Sequence, residues 1–290
     1  KSIIFVGMIR ITPSKINLGL NIVGRRADGY HDLETVFYPV NICDSLEITD
    51  MDHRFPLASD IDIHVYNTQR LCADEDNIIV KAYRLLSQHF TLPRIHAHLF
   101  KEIPSQAGMG GGSSDGTAML LLLNERCHLG LSNDQLIDYA RQLGADCPFF
   151  VLQRAAYAEG IGERLTPLNL NLSDYYLLVV KPEVSVSTRE AFALITPQRP
   201  PICCREVVTG MPISQWRHHL TNDFETSVFA QYPQLNEIKS QLYAGGAIYA
   251  AMTGSGSSLF GTFSTHAEAE SAYSCSPLLS SCAHWVVKML

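Results

Sequence analysis

The chain has 290 residues, of which 46% are hydrophobic and 18% are charged, and its formal net charge is −7. This composition predicts a globular protein with a substantial core, organised as one large domain or two ordinary ones. The negative charge argues against binding to nucleic acid, which usually requires a basic surface. It leaves a phosphorylated small molecule open as a substrate, because local dipoles and a few cations decide such binding.

The cysteines and the apolar runs indicate the cellular environment. The chain has eight cysteines, none in a C-x-x-C pair, and no His/Cys group has the spacing of a zinc site. The longest apolar run, residues 118–123, is far too short to span a bilayer. With no signal peptide recognised, we expect a cytoplasmic protein with reduced thiols and no membrane partner. Residues 1–7 precede Met8 and are assigned no function.

The first hundred residues are rich in strand signals. Apolar and β-branched runs predict strands at residues 9–11, 16–23, 46–48, 61–65 and 95–100. Before the last of these strands, Asp76 or Asn77 can cap a helix whose apolar positions, starting at Ile78, share one face.

The middle of the chain changes to helical patterns. A glycine-rich loop at residues 108–114 leads into a helix predicted at residues 117–124. Ser132 and Gln135 form a capping box for the next helix, and Gly144 closes it.

The remainder mixes both kinds of element. Strands are predicted at residues 149–152, 175–180, 247–252, 259–263 and 285–288. Helices are predicted at residues 191–195, behind a capping box of Ser187 and Glu190, and at residues 267–273. Strands and helices without strict alternation indicate the α+β class, with a boundary near residues 155–170.

The strongest chemical signal is the segment P-S-Q-A-G-M-G-G-G-S-S at residues 104–114. Its four glycines in five positions let successive backbone N–H groups face inward and form an anion nest. The following helix adds free N–H groups and the positive end of its dipole, while Ser113 and Ser114 offer hydroxyls to phosphate or magnesium. The spacing fits neither a Walker loop nor a Rossmann fingerprint, and a flexible glycine turn is the alternative interpretation.

Several segments of the chain resemble the GHMP kinases, the family of galactokinase, homoserine kinase and mevalonate kinase. The segments are P-S-K-I-N-L-G-L at residues 13–20, the loop at 104–114, and T-G-S-G-S at 253–257. Further strings resemble the branch of that family that phosphorylates cytidine diphosphate methylerythritol. They are K-I-N at 15–17, G-R-R-A-D-G-Y-H at 24–31, G-A-D-C-P at 144–148 and A-E-G-I-G-E at 158–163.

The resemblance implies a fold and a reaction. The fold is the two-lobed α+β GHMP kinase fold, with a ribosomal-S5-like, ATP-binding N-terminal lobe at residues 8–160 and a ferredoxin-like C-terminal lobe at residues 161–290. ATP, with Mg²⁺, and the substrate would lie between the lobes. The reaction is in-line transfer of the γ-phosphate of ATP to the 2-hydroxyl of cytidine diphosphate methylerythritol, in the non-mevalonate isoprenoid pathway. Magnesium ligands and oligomeric state are not assigned.

By the same resemblance, Lys15 and Asp146 are the catalytic residues. Phosphoryl transfer requires positioning, a carboxylate to accept the hydroxyl proton, and a cation beside the developing charge. From spacing alone, Asp146 is more typical of a cap or turn acid, and Lys15 of a solvated surface amine.

The resemblance also assigns the binding residues. The implied ATP-binding residues are Asn77, Lys101, Pro104, Ser105, Gln106, Ala107, Gly108, Met109, Gly110, Gly111, Gly112, Ser113 and Ser114. The implied substrate-binding residues are Asn17, Tyr30, His31, Thr188, Phe192 and Asp223. Tyr30 and Phe192 would sandwich the pyrimidine ring and His31 would read its edge. Ordinary core, loop, cap and strand-end roles are the alternatives.

Three loop residues depart from the family pattern. Gln106 stands where glycine is common, Met109 where leucine is usual, and Asp115 where asparagine is common. Asp115 would repel phosphates unless it points away or holds magnesium.

Two alternative functions are a mevalonate- or homoserine-type GHMP kinase and a non-catalytic GHMP-like nucleotide sensor. The adjacent Tyr30 and His31 favour a substrate with a nucleobase. The presence of both Lys15 and Asp146 argues against the sensor.

Overall fold

The structure is a computed structural model that describes residues 7–56, 58–68, 72–193 and 195–290. The expectations for residues 1–6 and for helical position 194 lie outside the described residues.

Strands and helices alternate irregularly along the described chain. The strands are β1 (Met8–Arg25), β2 (His31–Asp50), β3 (Ile61–Tyr66), β4 (Ile95–Phe100), β5 (Ala156–Gly160), β6 (Arg164–Pro167), β7 (Tyr176–Lys181), β8 (Tyr249–Met252), β9 (Leu259–Phe263) and β10 (Ala283–Lys288). The helices are α1 (Ile78–Ser87), α2 (Gly111–Arg126), α3 (Asn133–Leu143), α4 (Cys147–Leu152), α5 (Thr188–Ala193), α6 (Cys204–Gly210), α7 (Phe224–Gln231), α8 (Pro233–Ala244), α9 (His266–Cys275) and α10 (Pro277–Ser280). Short 3₁₀ helices lie at Asp74–Asp76 and Ile213–His218.

Contacts divide the chain into two compact units, each assembled from separated stretches. Unit 1 comprises the residues up to Ser14, Cys43–Ile103 and Gly110–Gln153. Unit 2 comprises Lys15–Ile42, Pro104–Met109 and Arg154–Leu290. Because these units interleave along the sequence, the sequential division into lobes at residues 8–160 and 161–290 stays a prediction.

The strands form two sheets. The six-stranded sheet has the order β3-β4-β2-β5-β6, with β1 paired to β2. Within unit 1, β3 runs parallel to β4, and the end of β2 runs antiparallel to β4. Within unit 2, the start of β2 pairs antiparallel with β5, and β5 with β6. The four-stranded sheet, β10-β7-β9-β8, is antiparallel throughout.

The core of unit 1 lies against one face of its strands. Alternate residues of β3 and β4, such as Ile61, Ile63 and Ile95, are buried among the apolar faces of α1 and α2. Burial of each such side chain contributes about 1.5–3 kcal/mol. The intervening residues of the two strands, polar except for Phe100, are half-buried or exposed, as the period of two requires.

The core of unit 2 joins the four-stranded sheet to its helices. Buried side chains of β7 and β9, including Leu178 and Phe263, pack in one cluster with Leu235 and Ile238 of α8. Helices on an antiparallel sheet are the arrangement expected of a ferredoxin-like lobe.

The α+β class is confirmed, since two sheets are combined with helices in mixed order. The capping box at Ser132 and Gln135 and the Asn77 cap are also confirmed. In the described part of the chain the longest helix, α2, has 16 residues, and no helix there has the length and apolar character to cross a membrane.

The predicted strand at residues 149–152 is wrong, because these residues belong to α4. A short apolar run fits a buried helix as well as a strand. The sequence signal for the helix is Pro148, which lies in its first turn, where a missing N–H costs nothing. The predicted loop also ends too late, since residues 111–114 already form the first turn of α2.

Candidate active site

The first half of the glycine-rich loop, residues 104–109, belongs to unit 2 and packs against the turn that follows β8. Gly108 has φ +72°, and a Cβ atom there would lie 2.0 Å from the Thr253 carbonyl oxygen. Gly254 in turn approaches Gly108 so closely that its own Cβ would lie 2.9 Å from the Gly108 oxygen. The backbones of the loop and the turn therefore touch directly, which only glycine permits.

Lys15 is buried beside this contact, with 3% of its surface exposed. Its ammonium donates to the Gly108 carbonyl and to Asn17 Oδ1, both at 2.8 Å, and lies 5.1 Å from the centroid of the Phe37 ring. The backbone N–H of Lys15 donates to the Met109 carbonyl at 3.0 Å. The expectation from spacing, a solvated surface amine, is therefore wrong.

Asn17 organises the surroundings of Lys15. Besides accepting from Lys15, its Oδ1 accepts from the Gly254 N–H at 2.9 Å, and it lies 3.2 Å from the Thr253 hydroxyl. Its Nδ2 donates to the Thr35 hydroxyl at 2.9 Å. With 2% exposure, Asn17 positions Lys15 and the turn, and contact with substrate stays a prediction.

The second half of the loop belongs to unit 1 and forms the start of α2. Gly110 has a left-handed backbone (φ 72°, ψ 18°) at the N-cap, and no side chain caps the helix. The first amides of α2 therefore have no intrahelical acceptor, while a Cβ on Gly112 would meet nothing within 4 Å. An open helix N-terminus of this kind favours an anion.

The two loop serines differ in availability. The buried Ser114 hydroxyl donates to the Pro13 carbonyl at 2.6 Å and also contacts the Thr12 hydroxyl. Ser113 is half-buried. Of the two predicted hydroxyls, Ser113 is therefore the better placed for a phosphate oxygen.

In the loop, Gln106 has φ 52°, the left-handed region that favours glycine. Its departure from the family pattern therefore puts a side chain on a backbone of glycine type.

Asp115 directs its carboxylate at Lys101. Its Oδ2 accepts from the Lys101 ammonium at 2.7 Å, and Lys101 also pairs with the fully buried Asp44. Asp44 further accepts the N–H groups of Glu102 and Ile103 at 2.6 and 2.8 Å. Lys101 is thus enclosed by carboxylates beneath the start of α2, and its contact with ATP stays a prediction.

Burial and the neighbouring charges shift the pKa values of Asp115 and Lys101. Burial raises the pKa of Asp115 well above its ordinary value of 3.8; Lys101 opposes the rise and Asp44 adds to it. For Lys101, burial alone would lower the pKa, but the two carboxylates outweigh it and the pKa is raised. The Lys101 ammonium between the two carboxylates offsets part of their negative charge, which weakens the predicted repulsion of phosphate.

Asp146 lies in unit 1 at the N-cap of α4 and is half-buried. Its side chain makes no capping hydrogen bond, although a cap acid was the simplest alternative for it. Thr117 of α2 donates to the Cys147 carbonyl at 3.0 Å and to the Ser113 carbonyl at 2.8 Å. This hydroxyl fixes the start of α4, and with it Asp146, to the first turns of α2. Because Lys15 lies in unit 2, the pairing of Lys15 with Asp146 stays a prediction.

The structure pairs Phe192 with His31. The predicted sandwich would instead place Tyr30 opposite Phe192 with the pyrimidine ring between them. The His31 ring stacks on Phe192 with centroids 4.9 Å apart and planes 16° from parallel, and Phe224 packs edge-to-face on Phe192. Tyr30 is 61% exposed, at the end of a turn where its N–H donates to Asp28. A base between Tyr30 and Phe192 would have to compete with His31 for a face of Phe192.

The other predicted binding residues have structural partners. Asp223 accepts from the Ile22 N–H at 2.7 Å and from Asn21 Nδ2 at 3.1 Å. Burial has the largest effect on the pKa of Asp223 and raises it, although both hydrogen bonds oppose the rise. The Thr188 hydroxyl lies 2.9 Å from the Ser255 hydroxyl. Asn77 accepts from the Ile79 N–H at 2.9 Å as a helix cap.

Sequence reasoning missed the residues that hold the site together. Asn222 donates to the carbonyls of Met252 and Gly254, both at 2.8 Å, and so fixes the turn from behind. Its signal in the sequence is an Asn-Asp pair ahead of the apolar start of α7, typical of a helix start. Thr35 and Asp44 carry no local signal, since their partners are distant in sequence.

Comparisons with known proteins place the chain in a family. Residues 77–154 match the GHMP kinases N terminal domain, and residues 211–275 match the GHMP kinases C terminal family. A 4-diphosphocytidyl-2-C-methyl-D-erythritol kinase of Bacteroides fragilis is 50% identical over 260 residues, covering 89% of this chain and 92% of that protein. The chain belongs to the GHMP kinase family, in the branch of the 4-diphosphocytidyl-2-C-methyl-D-erythritol kinases.

Solved structures confirm the GHMP kinase fold. A crystal structure of a 4-(cytidine 5′-diphospho)-2C-methyl-D-erythritol kinase superposes with a TM-score of 0.78 at 30% identity, over 96% of this chain and 98% of that one. A homoserine kinase from Cytophaga hutchinsonii superposes with a TM-score of 0.71 at 15% identity, over 98% and 94% of the two chains. The second likeness shows the fold alone.

The Gly108 contact predicts different effects for two glycines of the loop of this GHMP kinase. Gly108→Ala should lower the free energy of unfolding by at least about 1–2 kcal/mol from its left-handed backbone, besides the overlap with Thr253. Gly112→Ala, the matched control, should raise it by up to about 1 kcal/mol, since that site is helical and open. Urea unfolding without ligand measures both; equal effects would contradict the contact.

The Lys101 cluster predicts a pH-dependent stability. Lys101→Met should lower the free energy of unfolding by about 3–5 kcal/mol, because it leaves buried carboxylates unpaired.

Asp115→Asn should lower the free energy of unfolding much less than Lys101→Met does. Since the pKa of Asp115 is raised on folding, its contribution to stability is present below pH 3.8 and lost as pH rises towards the folded pKa. Urea unfolding should be measured between about pH 4 and 8. The free energy of unfolding of Asp115→Asn should rise relative to that of wild type as pH rises. If the two free energies changed with pH in parallel, the raised pKa of Asp115 would be contradicted.

Proposed function

We propose that this GHMP kinase transfers the γ-phosphate of ATP to the 2-hydroxyl of 4-diphosphocytidyl-2-C-methyl-D-erythritol, with residues 8–160 as the ATP-binding lobe. The proposal rests on the buried Lys15 ammonium, which hydrogen bonds to the Gly108 carbonyl of the glycine-rich loop. A cation already held in place by hydrogen bonds suits a reaction whose main demand is the neutralisation of charge on the transferred phosphate. The acceptor follows from the relatives, which are named for that substrate.

The ATP phosphates are proposed to bind at the start of α2. The N–H groups of its first turn point out of the helix, and Gly112 has no neighbouring atom where a Cβ would be. The partial positive charge of a 16-residue helix adds to this attraction. Ser113 is placed to donate its hydroxyl to a phosphate oxygen.

Mg²⁺ is proposed to bind oxygen donors of unit 1. The Ser113 hydroxyl and the Asp146 carboxylate are both half-buried and come from segments that Thr117 holds together. Hydroxyl and carboxylate oxygens are ligands that Mg²⁺ accepts, and bound Mg²⁺ would neutralise charge on the phosphates.

Asp146 and Lys15 are proposed to act on the acceptor hydroxyl. Asp146, at the N-cap position of α4, would orient the hydroxyl and accept its proton as the P–O bond forms. Lys15 would stabilise the negative charge that develops during transfer.

The cytidine base is proposed to bind near the stacked pair of His31 and Phe192. Both rings present flat faces, and His31 also offers a ring nitrogen to a base edge. Tyr30 is exposed and adjacent in sequence, so it can cover the base once the base is bound.

Asp146→Asn should retain the fold and ATP affinity but lose about 100-fold or more in kcat, since the geometry stays while the proton acceptor is removed. Asp134→Asn is the control, because this acid is exposed in the first turn of α3. ADP release under saturating substrate measures both variants. A kcat near that of wild type for Asp146→Asn would remove Asp146 from the reaction.

The nucleobase should decide the choice of substrate. Tyr30→Ala should raise the KM for the cytidine substrate about tenfold and leave the KM for ATP unchanged, since stacking on a base is worth roughly 1–3 kcal/mol. Tyr66→Ala, which removes an exposed tyrosine of unit 1, is the control.

A substrate panel tests the acceptor itself. The cytidine substrate should react faster than its uridine analogue, mevalonate or homoserine, because exchanging the amino donor of cytosine leaves buried polar groups mismatched. Faster turnover of mevalonate or homoserine would replace the proposed acceptor while leaving the kinase assignment intact.

A further inference from the structure

A cluster of imidazoles and a carboxylate lies on the solvent-facing side of the sheet in unit 1. We call it the His–Asp cluster: Asp62 and His64 on β3 and His96 on β4. Both histidines direct a ring nitrogen at the same oxygen, Asp62 Oδ2. His64 Nε2 lies 2.9 Å from it and His96 Nδ1 2.8 Å. The three atoms all lie within 4.8 Å of one another.

The pairing of the strands assembles this cluster. Asp62 and His64 are two residues apart on β3, so their side chains leave the same face of the sheet. The parallel register places Asp62 opposite His96 and His64 opposite His98. The residues between them, such as Ile63, point into the core, which fixes the face on which the cluster lies.

Neighbouring rings hold the histidines in place. His64 stacks on His98 with centroids 5.1 Å apart and planes 12° from parallel. Phe55 packs edge-on against His96 at 4.8 Å, and the Tyr66 hydroxyl lies 3.0 Å from His98 Nδ1. These ring contacts limit the movement of His64 and His96.

We propose that the His–Asp cluster binds a zinc-type divalent transition-metal ion through Asp62 Oδ2, His64 Nε2 and His96 Nδ1. In a tetrahedral zinc site, bonds of about 2.0–2.1 Å put the ligand atoms roughly 3.3 Å apart. The two observed nitrogen–oxygen distances are shorter than this by a few tenths of an ångström, and the two nitrogens lie within 4.8 Å of each other, so the rings have to shift to admit the ion.

The donor set selects the class of metal. Two imidazole nitrogens with one carboxylate suit zinc, copper or nickel, whereas magnesium and calcium prefer oxygen ligands alone. A neutral imidazole carries one N–H, and moving that proton to the other ring nitrogen frees the lone pair that the metal needs. Three protein ligands leave a fourth position for water.

The ion would stabilise the edge of the sheet. β3 is a terminal strand in the sheet order, and its neighbour β4 follows only after α1. A metal bound to Asp62, His64 and His96 crosslinks the two strands. Binding to the folded chain alone raises the melting temperature in proportion to the logarithm of metal concentration over Kd.

The proposal is tested by a metal titration of the full chain. A chelator first removes any bound metal, and Co²⁺ and then Zn²⁺ are added. Wild type should bind one ion at this site, with the visible Co²⁺ spectrum of a nitrogen- and oxygen-ligated tetrahedral centre, and its melting temperature should rise with Zn²⁺. His96→Gln and Asp62→Asn should each weaken binding by on the order of 100-fold or more. His89→Gln, which changes an exposed histidine outside the cluster, should leave binding unchanged.

The cysteines provide the competing outcome, because thiolates also bind zinc and cobalt. An intense thiolate-to-cobalt absorption that persists in His96→Gln would place the metal at cysteines and overturn the proposal. So would the absence of stoichiometric binding to wild type. Circular dichroism shows whether each variant is folded, and Asp62→Asn, which keeps the shape of the side chain, covers the case in which His96→Gln does not fold.

Discussion

The carbonyl oxygen of Gly108 accepts hydrogen bonds from the Lys15 ammonium at 2.8 Å and the Thr253 hydroxyl at 3.1 Å. A buried ammonium is costly unless its hydrogen bonds are satisfied, so this carbonyl and Asn17 are what allow Lys15 to lie inside unit 2. The oxygen is accessible to both donors because the Thr253–Gly254 backbone lies against Gly108 without a Cβ between them. The close approach of these glycine backbones thus makes the burial of Lys15 possible.

Unit 1 solves a different electrostatic problem at the start of α2. Its open amides favour an anion, yet Asp44 and Asp115 lie just beneath them. Lys101 lies between the two carboxylates and offsets part of their charge, and burial raises the pKa of Asp115, which further favours its neutral form. The same helix carries Thr117, which fixes the segment that bears Asp146.

The sequence predicted elements well where local signals marked their ends, as at Asn77 and at Ser132 with Gln135. It failed at residues 149–152, since an apolar run without caps does not distinguish a strand from a buried helix. Resemblance supplied Lys15 and Asp146, but the burial of Lys15 depends on partners more than ninety residues away. The stacking of His31 on Phe192 and the His–Asp cluster depend likewise on long-range packing and strand register, which no local pattern contains.

The interleaving of the two units bears on how the chain acquires its structure during synthesis. Unit 1 has all its residues once Gln153 has been made, whereas unit 2 needs Lys15–Ile42 and Pro104–Met109 to wait for the segment from Arg154 onward. Domains generally fold as their chain emerges, and contacts between distant residues slow the process. The surroundings of Lys15 can therefore be completed only after the turn at Thr253 has been made, and neither unit corresponds to a contiguous piece of its gene.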